Sequence, residues 1–214
     1  MKIIADALLF DNDGTLLSSL ESVNRCWTRW AKEYGLTAED FARIALHGRP
    51  AAEIVADLLP ADAVPEALAR IEHLEVEDAG GTVALPGTLA LLADLPAEQW
   101  AVVTSAGRRL AEARLAHAGI TAKNLVSADD IRRGKPDPEP FLLAAARLGV
   151  DPARCVVFED APVGLAAGRA AGMTTVALTT THRAEELSAD AVVPDLSAVS
   201  AQAIAGSVEI TLAG

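Results

Sequence analysis

Short apolar runs recur along the chain at residues 3–10, 100–104, 125–127, 155–158, 174–178 and 191–193. Runs of this length, rich in Val, Leu and Ile and bounded by polar residues, predict strands buried on both faces. Between the later runs the spacing turns helical, over residues 108–118, 138–148 and 162–171. Each of these stretches is followed by a glycine, Gly119, Gly149 or Gly172, where a helix can close in the left-handed region. Strands alternating with single helices imply right-handed crossovers. The predicted core is therefore α/β and Rossmann-like, a parallel sheet with helices on both faces.

From residue 18 to 81 the rhythm changes, and the pattern is helical with no convincing strand. Residues 22–34, 38–45, 51–59 and 65–78 read as four helices, punctuated by Gly35, Gly48, Pro60 and the Gly80–Gly81 pair. This predicts a helical domain, 18–81, inserted into an α/β core formed by 1–17 and 82–214, with hinges at 16–19 and 81–86. Beyond Ser197 the chain is Ala-rich, and its pattern assigns no element.

Composition narrows the function classes. Hydrophobic residues make up 51% of the 214 positions but aromatics only 4%, so the core should be built from Leu, Val, Ala and Ile. With 18 Lys and Arg against 30 Asp and Glu, the net charge of -12 argues against nucleic acid or anionic lipid as a partner. It repels a phosphorylated substrate too, so a site for one must gather a metal or a few cations locally. Cys26 and Cys155 lack metal-ligand spacing and read as buried reduced thiols. The first residues, interrupted by Asp6, do not resemble a secretory signal, and no uncharged apolar stretch reaches the roughly 18 residues of a membrane span. The expectation is a cytoplasmic protein with no membrane partner; monomer and homodimer are both compatible.

Candidate chemistry sits where the apolar runs end, which in a parallel sheet is where ligands gather. Asp11-Asn12-Asp13-Gly14-Thr15 follows the first run. Two carboxylates so close can share a hard cation and leave an oxygen free for attack, although an acidic turn has the same sequence. Thr104 and Ser105 end the second run, where hydroxyls and the following amides, including that of Ala106, suit phosphate oxygens or merely cap a helix. Lys135, between Gly134 and Pro136, either directs a fixed charge at phosphate or is a solvated loop lysine. Glu159 and Asp160 end a further strand as Mg2+ ligands, or as acids at a helix N-terminus. Four strand ends supplying acids, hydroxyls, a lysine and acids are poorly explained by coincidence.

In this order the motifs resemble those of the haloacid dehalogenase superfamily: Asp11-x-Asp13-Gly14-Thr15, Thr104-Ser105, Lys135 and Glu159-Asp160, with the helical insertion similar to that family's small cap. An aspartate at the position of Asp13 implies phosphate chemistry in place of dehalogenation. The resemblance implies a Mg2+-dependent phosphoric monoester hydrolase. In it Asp11 is the nucleophile that becomes an aspartyl phosphate, and Asp13 is the acid and base. Thr104, Ser105, Ala106 and Lys135 bind phosphate, and Asp11, Asp13, Glu159 and Asp160 are the metal residues, with the Asn12 carbonyl as a further ligand. Thr104 is preferred over Ser105 as the motif hydroxyl. Specificity for a small phosphorylated metabolite falls to the cap, with His47, Gly48 and Arg49 as substrate residues and Glu21 and Asn24 as further lining. Trp27, Trp30 and Tyr34, at helical spacing, read as cap packing. The β-phosphoglucomutase-like branch, which includes sugar and polyol phosphatases, is the nearest in appearance. Val23 stands where the mutase carries a cap histidine, which favours hydrolysis of a sugar or polyol phosphate over the alternative, a phosphomutase. A phospho-accepting receiver domain is a further alternative, but it has no helical insertion after the first strand.

Overall fold

The computed structural model describes residues 1–41 and 50–213. In chain order the elements are β1 (Lys2–Ala5), β2 (Ala7–Phe10), β3 (Leu17–Ser18), α1 (Leu20–Glu33), α2 (Ala38–Phe41), α3 (Ala51–Leu58), α4 (Val64–Glu77) and β4 (Val83–Ala84). They continue with α5 (Thr88–Ala93), β5 (Trp100–Val103), α6 (Arg108–His117), β6 (Leu125–Val126), α7 (Glu139–Leu148) and β7 (Cys155–Glu159). The chain ends with α8 (Pro162–Ala170), β8 (Thr174–Leu178), β9 (Ala191–Val193), β10 (Val199–Ile204) and β11 (Ser207–Leu212).

The core is a parallel sheet of six strands in the order β6-β5-β2-β7-β8-β9. Its strands are buried on both faces, which explains why they read as continuous apolar runs. One face packs Leu8, Phe10, Val102, Val156 and Phe158 into the larger apolar cluster, and the other packs Ala7, Leu9, Val103 and Val157 against Phe141 and Ala144 of α7. The rings of Phe10 and Phe158 stack at 4.9 Å directly beneath the strand ends. Gly119, Gly149 and Gly172 take positive φ just past α6, α7 and α8, as their placement predicts.

Two expectations about strands need correcting. The run at 3–10 is two strands, not one. Asp6 interrupts it, with its carboxylate held by Arg154 at 2.7 and 2.9 Å and by Ser207 at 2.8 Å, and these hydrogen bonds lower its pKa to about 2. The Ala-rich C-terminus, which the pattern left unassigned, is the hairpin β10–β11, and β1 adds to it antiparallel as a separate three-stranded sheet.

Between β3 and β4 the described residues are helical. The two short strands pair antiparallel, Leu17 with Ala84 and Ser18 with Val83, so both crossings into the helical segment run side by side. The helices have their own apolar cluster around Trp30, Val55 and Ile71. Trp30 is fully buried, donates to the Ala67 carbonyl at 2.8 Å, and meets Trp27 and Tyr34 at 5.2 and 4.9 Å. The aromatic spacing in α1 is thus a packing stripe.

Candidate active site

Strand register brings the predicted residues together. Phe10 is level with Val102 of β5 and Phe158 of β7, so Asp11 leaves its strand beside Val103–Thr104 on one side and Glu159 on the other. Lys135, in the loop before α7, reaches under these ends. Its ammonium donates to Asp11 Oδ1 at 2.5 Å, Glu159 Oε1 at 2.7 Å and the Val103 carbonyl at 3.0 Å, and its side chain is only 3% exposed. All three donors of the lysine are therefore used, as burial of an ammonium requires.

Asp11, Glu159 and Asp160 form a buried group whose ligand oxygens lie within 4.8 Å of one another. Glu159 is committed on both sides, to Lys135 and, through Oε2, to the Ala161 amide at 2.8 Å. Asp160 accepts from Thr15 at 3.3 Å and from Thr181 on its other oxygen. Lys135 holds Asp11 by Oδ1, and Oδ2 has no hydrogen-bond partner among the described residues.

Three carboxylates face one ammonium, and the surplus charge shows in their protonation. Burial raises the Asp11 carboxyl to about 7, against the opposing pull of Lys135 and with help from Glu159 and Asp13. Burial, then the neighbouring Asp11, raises Asp160 to about 7 as well, and burial raises Glu159. Lys135 goes the other way: burial alone would lower it, but Asp11 and Glu159 together hold it up. Hard oxygen donors carrying uncompensated negative charge fit a divalent cation such as Mg2+.

Two glycines make this geometry possible. Gly14 has φ +93°, and a Cβ there would lie 2.3 Å from Asp160 Oδ2. At Gly164, in the first turn of α8, a Cβ would fall 1.6 Å from Glu159 Oε1.

The remaining expected residues are placed as follows. Asp13, named among the metal residues, is not in the carboxylate trio. Its Oδ1 accepts from Ser19 at 2.5 Å and Arg114 at 3.0 Å, and its Oδ2 from Asn12 at 3.1 Å. The Asn12 carbonyl, expected as a further metal ligand, accepts the amides of Leu16 at 2.9 Å and Leu17 at 3.1 Å within the turn. Thr104 is buried at the end of β5, and its Oγ1 accepts the Ala106 amide at 3.1 Å, so that amide is turned into the loop. Ser105 follows it half-buried. His47, Gly48 and Arg49 lie outside the described residues. Asn24 faces an outer groove with Arg25, Thr28, Arg29 and Lys32, and Glu21 is exposed beside Arg25 at 3.8 Å. Sequence reasoning did not single out Ser19, Arg114, Thr180 or Thr181. Thr180 donates to the Gly14 carbonyl and Thr181 to Asp160. A signal for these two existed: three threonines follow the end of β8, the same position that marked the other site residues.

A family model for haloacid dehalogenase-like hydrolases matches residues 5–172. The chain belongs to the haloacid dehalogenase-like hydrolases. Among curated members of the family, it is 42% identical to hexitol phosphatase A of Escherichia coli K12, over 79% of this chain and 81% of that one. It is 38% identical to validoxylamine A 7'-phosphate phosphatase of Streptomyces hygroscopicus subsp. limoneus, over 89% of this chain and 94% of that one. A hydrolase of this fold from Pseudomonas syringae superposes with a TM-score of 0.79 at 26% identity, covering 90% of this chain and 94% of its own. The match to the family model takes in both acidic motifs, Lys135 and the helical segment between β3 and β4.

Proposed function

We propose that this chain is a Mg2+-dependent phosphatase that hydrolyses a sugar or polyol phosphate through an aspartyl phosphate on Asp11, with residues 18–81 as its cap and the cytoplasm as its setting. The observation that carries the reading is the buried trio of Asp11, Glu159 and Asp160 around Lys135. The substrate class is supported by the likeness to hexitol phosphatase A. The compartment is supported by two buried, unpaired cysteines.

Asp11, Asp160 and Glu159 would hold the ion, which supplies positive charge to the phosphate oxygens and to the nucleophilic carboxylate. Lys135 fixes Asp11 by Oδ1 and leaves Oδ2 to attack phosphorus. As the new O–P bond forms, the bond to the ester oxygen breaks, and the proton on Asp13 passes to that oxygen, releasing the alcohol. Asp13, now a carboxylate, takes a proton from water. The water oxygen then attacks phosphorus, and the bond to Asp11 breaks to give inorganic phosphate and the starting enzyme. The Thr104 hydroxyl, the Ser105 amide and Lys135 stabilise the equatorial oxygens.

The test is phosphate release, with Mg2+, from a panel of phosphorylated hexitols, hexoses, glycerol and short organic acids. Sugar or polyol esters should exceed the organic acids by about tenfold or more in kcat/KM, a ratio that a few extra hydroxyl contacts can supply. Equal slow release from every member would contradict the substrate class. Isomerisation of glucose 1-phosphate without phosphate release would favour the mutase instead.

A further inference from the structure

Away from the lysine and its carboxylates, a second buried ionic chain crosses from the sheet core to the helical segment. Arg114, on α6, has a side chain only 5% exposed; it donates through Nη1 to Asp13 Oδ1 at 3.0 Å and through Nη2 to Glu75 Oε1 at 3.3 Å. Glu75 lies near the end of α4, and its side chain is 7% exposed. The Nε of Arg114 is buried and has no partner among the described residues. A buried ion pair with an unsatisfied donor is a poor device for stability, since an apolar side chain of similar volume packs as well without desolvating charge. What the arrangement does supply is direction. The guanidinium is planar and rigid, so a carboxylate on one nitrogen fixes where the other points.

The carboxylate that Arg114 holds is that of Asp13. The same Oδ1 also accepts from Ser19, the residue between β3 and α1. Two donors on one oxygen fix the plane of the carboxylate and leave Oδ2 with the single amide of Asn12. One donor belongs to a core helix that is tied to α4, and the other to the crossing into α1.

We infer that Arg114, braced by Glu75, is a positioning residue that holds the Asp13 carboxyl group in line for transfer of its proton to the leaving oxygen of the ester. The inference rests on the acid–base role given to Asp13 above. It makes a distinction that a structural role does not. An alkyl phosphate needs a proton on its leaving oxygen, whereas p-nitrophenyl phosphate departs without one. The ratio kcat/KM reports only the steps through leaving-group departure, so the later attack of water does not enter.

The experiment measures kcat/KM of the Mg2+-loaded full chain, and of its Arg114→Met, Arg114→Lys and Glu75→Gln variants, on a hexitol phosphate and on p-nitrophenyl phosphate. A misplaced acid predicts that Arg114→Met loses about 10- to 100-fold on the hexitol ester but less than about threefold on the nitrophenyl ester, with part of the loss restored in Arg114→Lys. Glu75→Gln keeps shape and hydrogen-bonding capacity, so it should show the same selective loss in smaller measure, and it carries the test alone if Arg114→Met does not fold. Equal losses on both esters, or none on either, in folded variants would overturn the inference. Failure of the hydrolase reading shows up separately, as absence of phosphate release from both esters by the unsubstituted chain.

Discussion

Asp11 and Asp160 carry the most testable consequence at the scale of single residues. Burial, with repulsion from neighbouring carboxylates, raises both carboxyls to about 7, above the ordinary aspartate value. Between that ordinary value and 7 the unfolded chain has given up protons that the folded chain still holds, so these groups make stability fall as pH rises through the interval. A cation bound by the trio relieves the penalty, and does so most where the carboxylates are ionised. Thermal melting in EDTA should therefore show Tm declining from about pH 4.5 to 7.5 relative to an Asp160→Asn variant. Mg2+ at a hundredfold excess over its Kd should raise Tm by roughly 5–10 °C at pH 7.5 and by much less at pH 5. A Tm that does not respond to Mg2+ at either pH would argue against the metal site. At this scale the sequence was informative wherever a polar residue terminates an apolar run, as at Asp11, Thr104, Glu159 and Asp160. It was silent on Arg114, whose position on α6 reads as an ordinary helix cation until α4 and the turn at Asp13 close around it.

Among the elements, those set by local signals were legible and those set by distant pairing were not. α6, α7 and α8 announce themselves by helical spacing and a terminal glycine. The split of the first apolar run at Asp6 depends on Arg154 and Ser207, which are 148 and 201 residues away along the chain. The C-terminal hairpin did leave a trace, because Ser207 to Leu212 alternates polar and apolar residues and its burial alternates in step. The alanines of β10 hid its partner. In this sheet Ile210 is fully buried opposite Ile3, on strands that do not reach the carboxylate cluster. Ile210→Ala should cost about 2–5 kcal/mol of stability by urea unfolding, with kcat/KM on the preferred ester unchanged in the folded protein. An unaltered midpoint would mean that the hairpin is not part of the cooperative core.

For the molecule as a whole, the chemistry and the charge balance pull in opposite directions. A net charge of -12 disfavours the approach of a phosphate ester, and the fold answers with one buried lysine and an oxygen cage suited to a cation. No helix among the described residues is long and apolar enough to cross a membrane, and the proposed catalytic residues gather past the carboxyl ends of the interior strands β2, β5 and β7. Most of the proposed core residues stand out in the sequence because they follow strand ends, whereas Lys135 stands in the loop before α7. Which side chains of the helical segment would face the cluster was not legible, because that depends on packing between segments far apart in sequence. The central claim is that Asp11 attacks phosphorus, and its most direct test is phosphate release by Asp11→Asn under saturating Mg2+ with the best ester of the panel. Loss of the nucleophile predicts a fall in kcat of at least about a thousandfold, with no loss of melting temperature when folding is checked in EDTA, since one of three crowded carboxylates has been neutralised. Turnover within about tenfold of the unsubstituted chain would contradict the account.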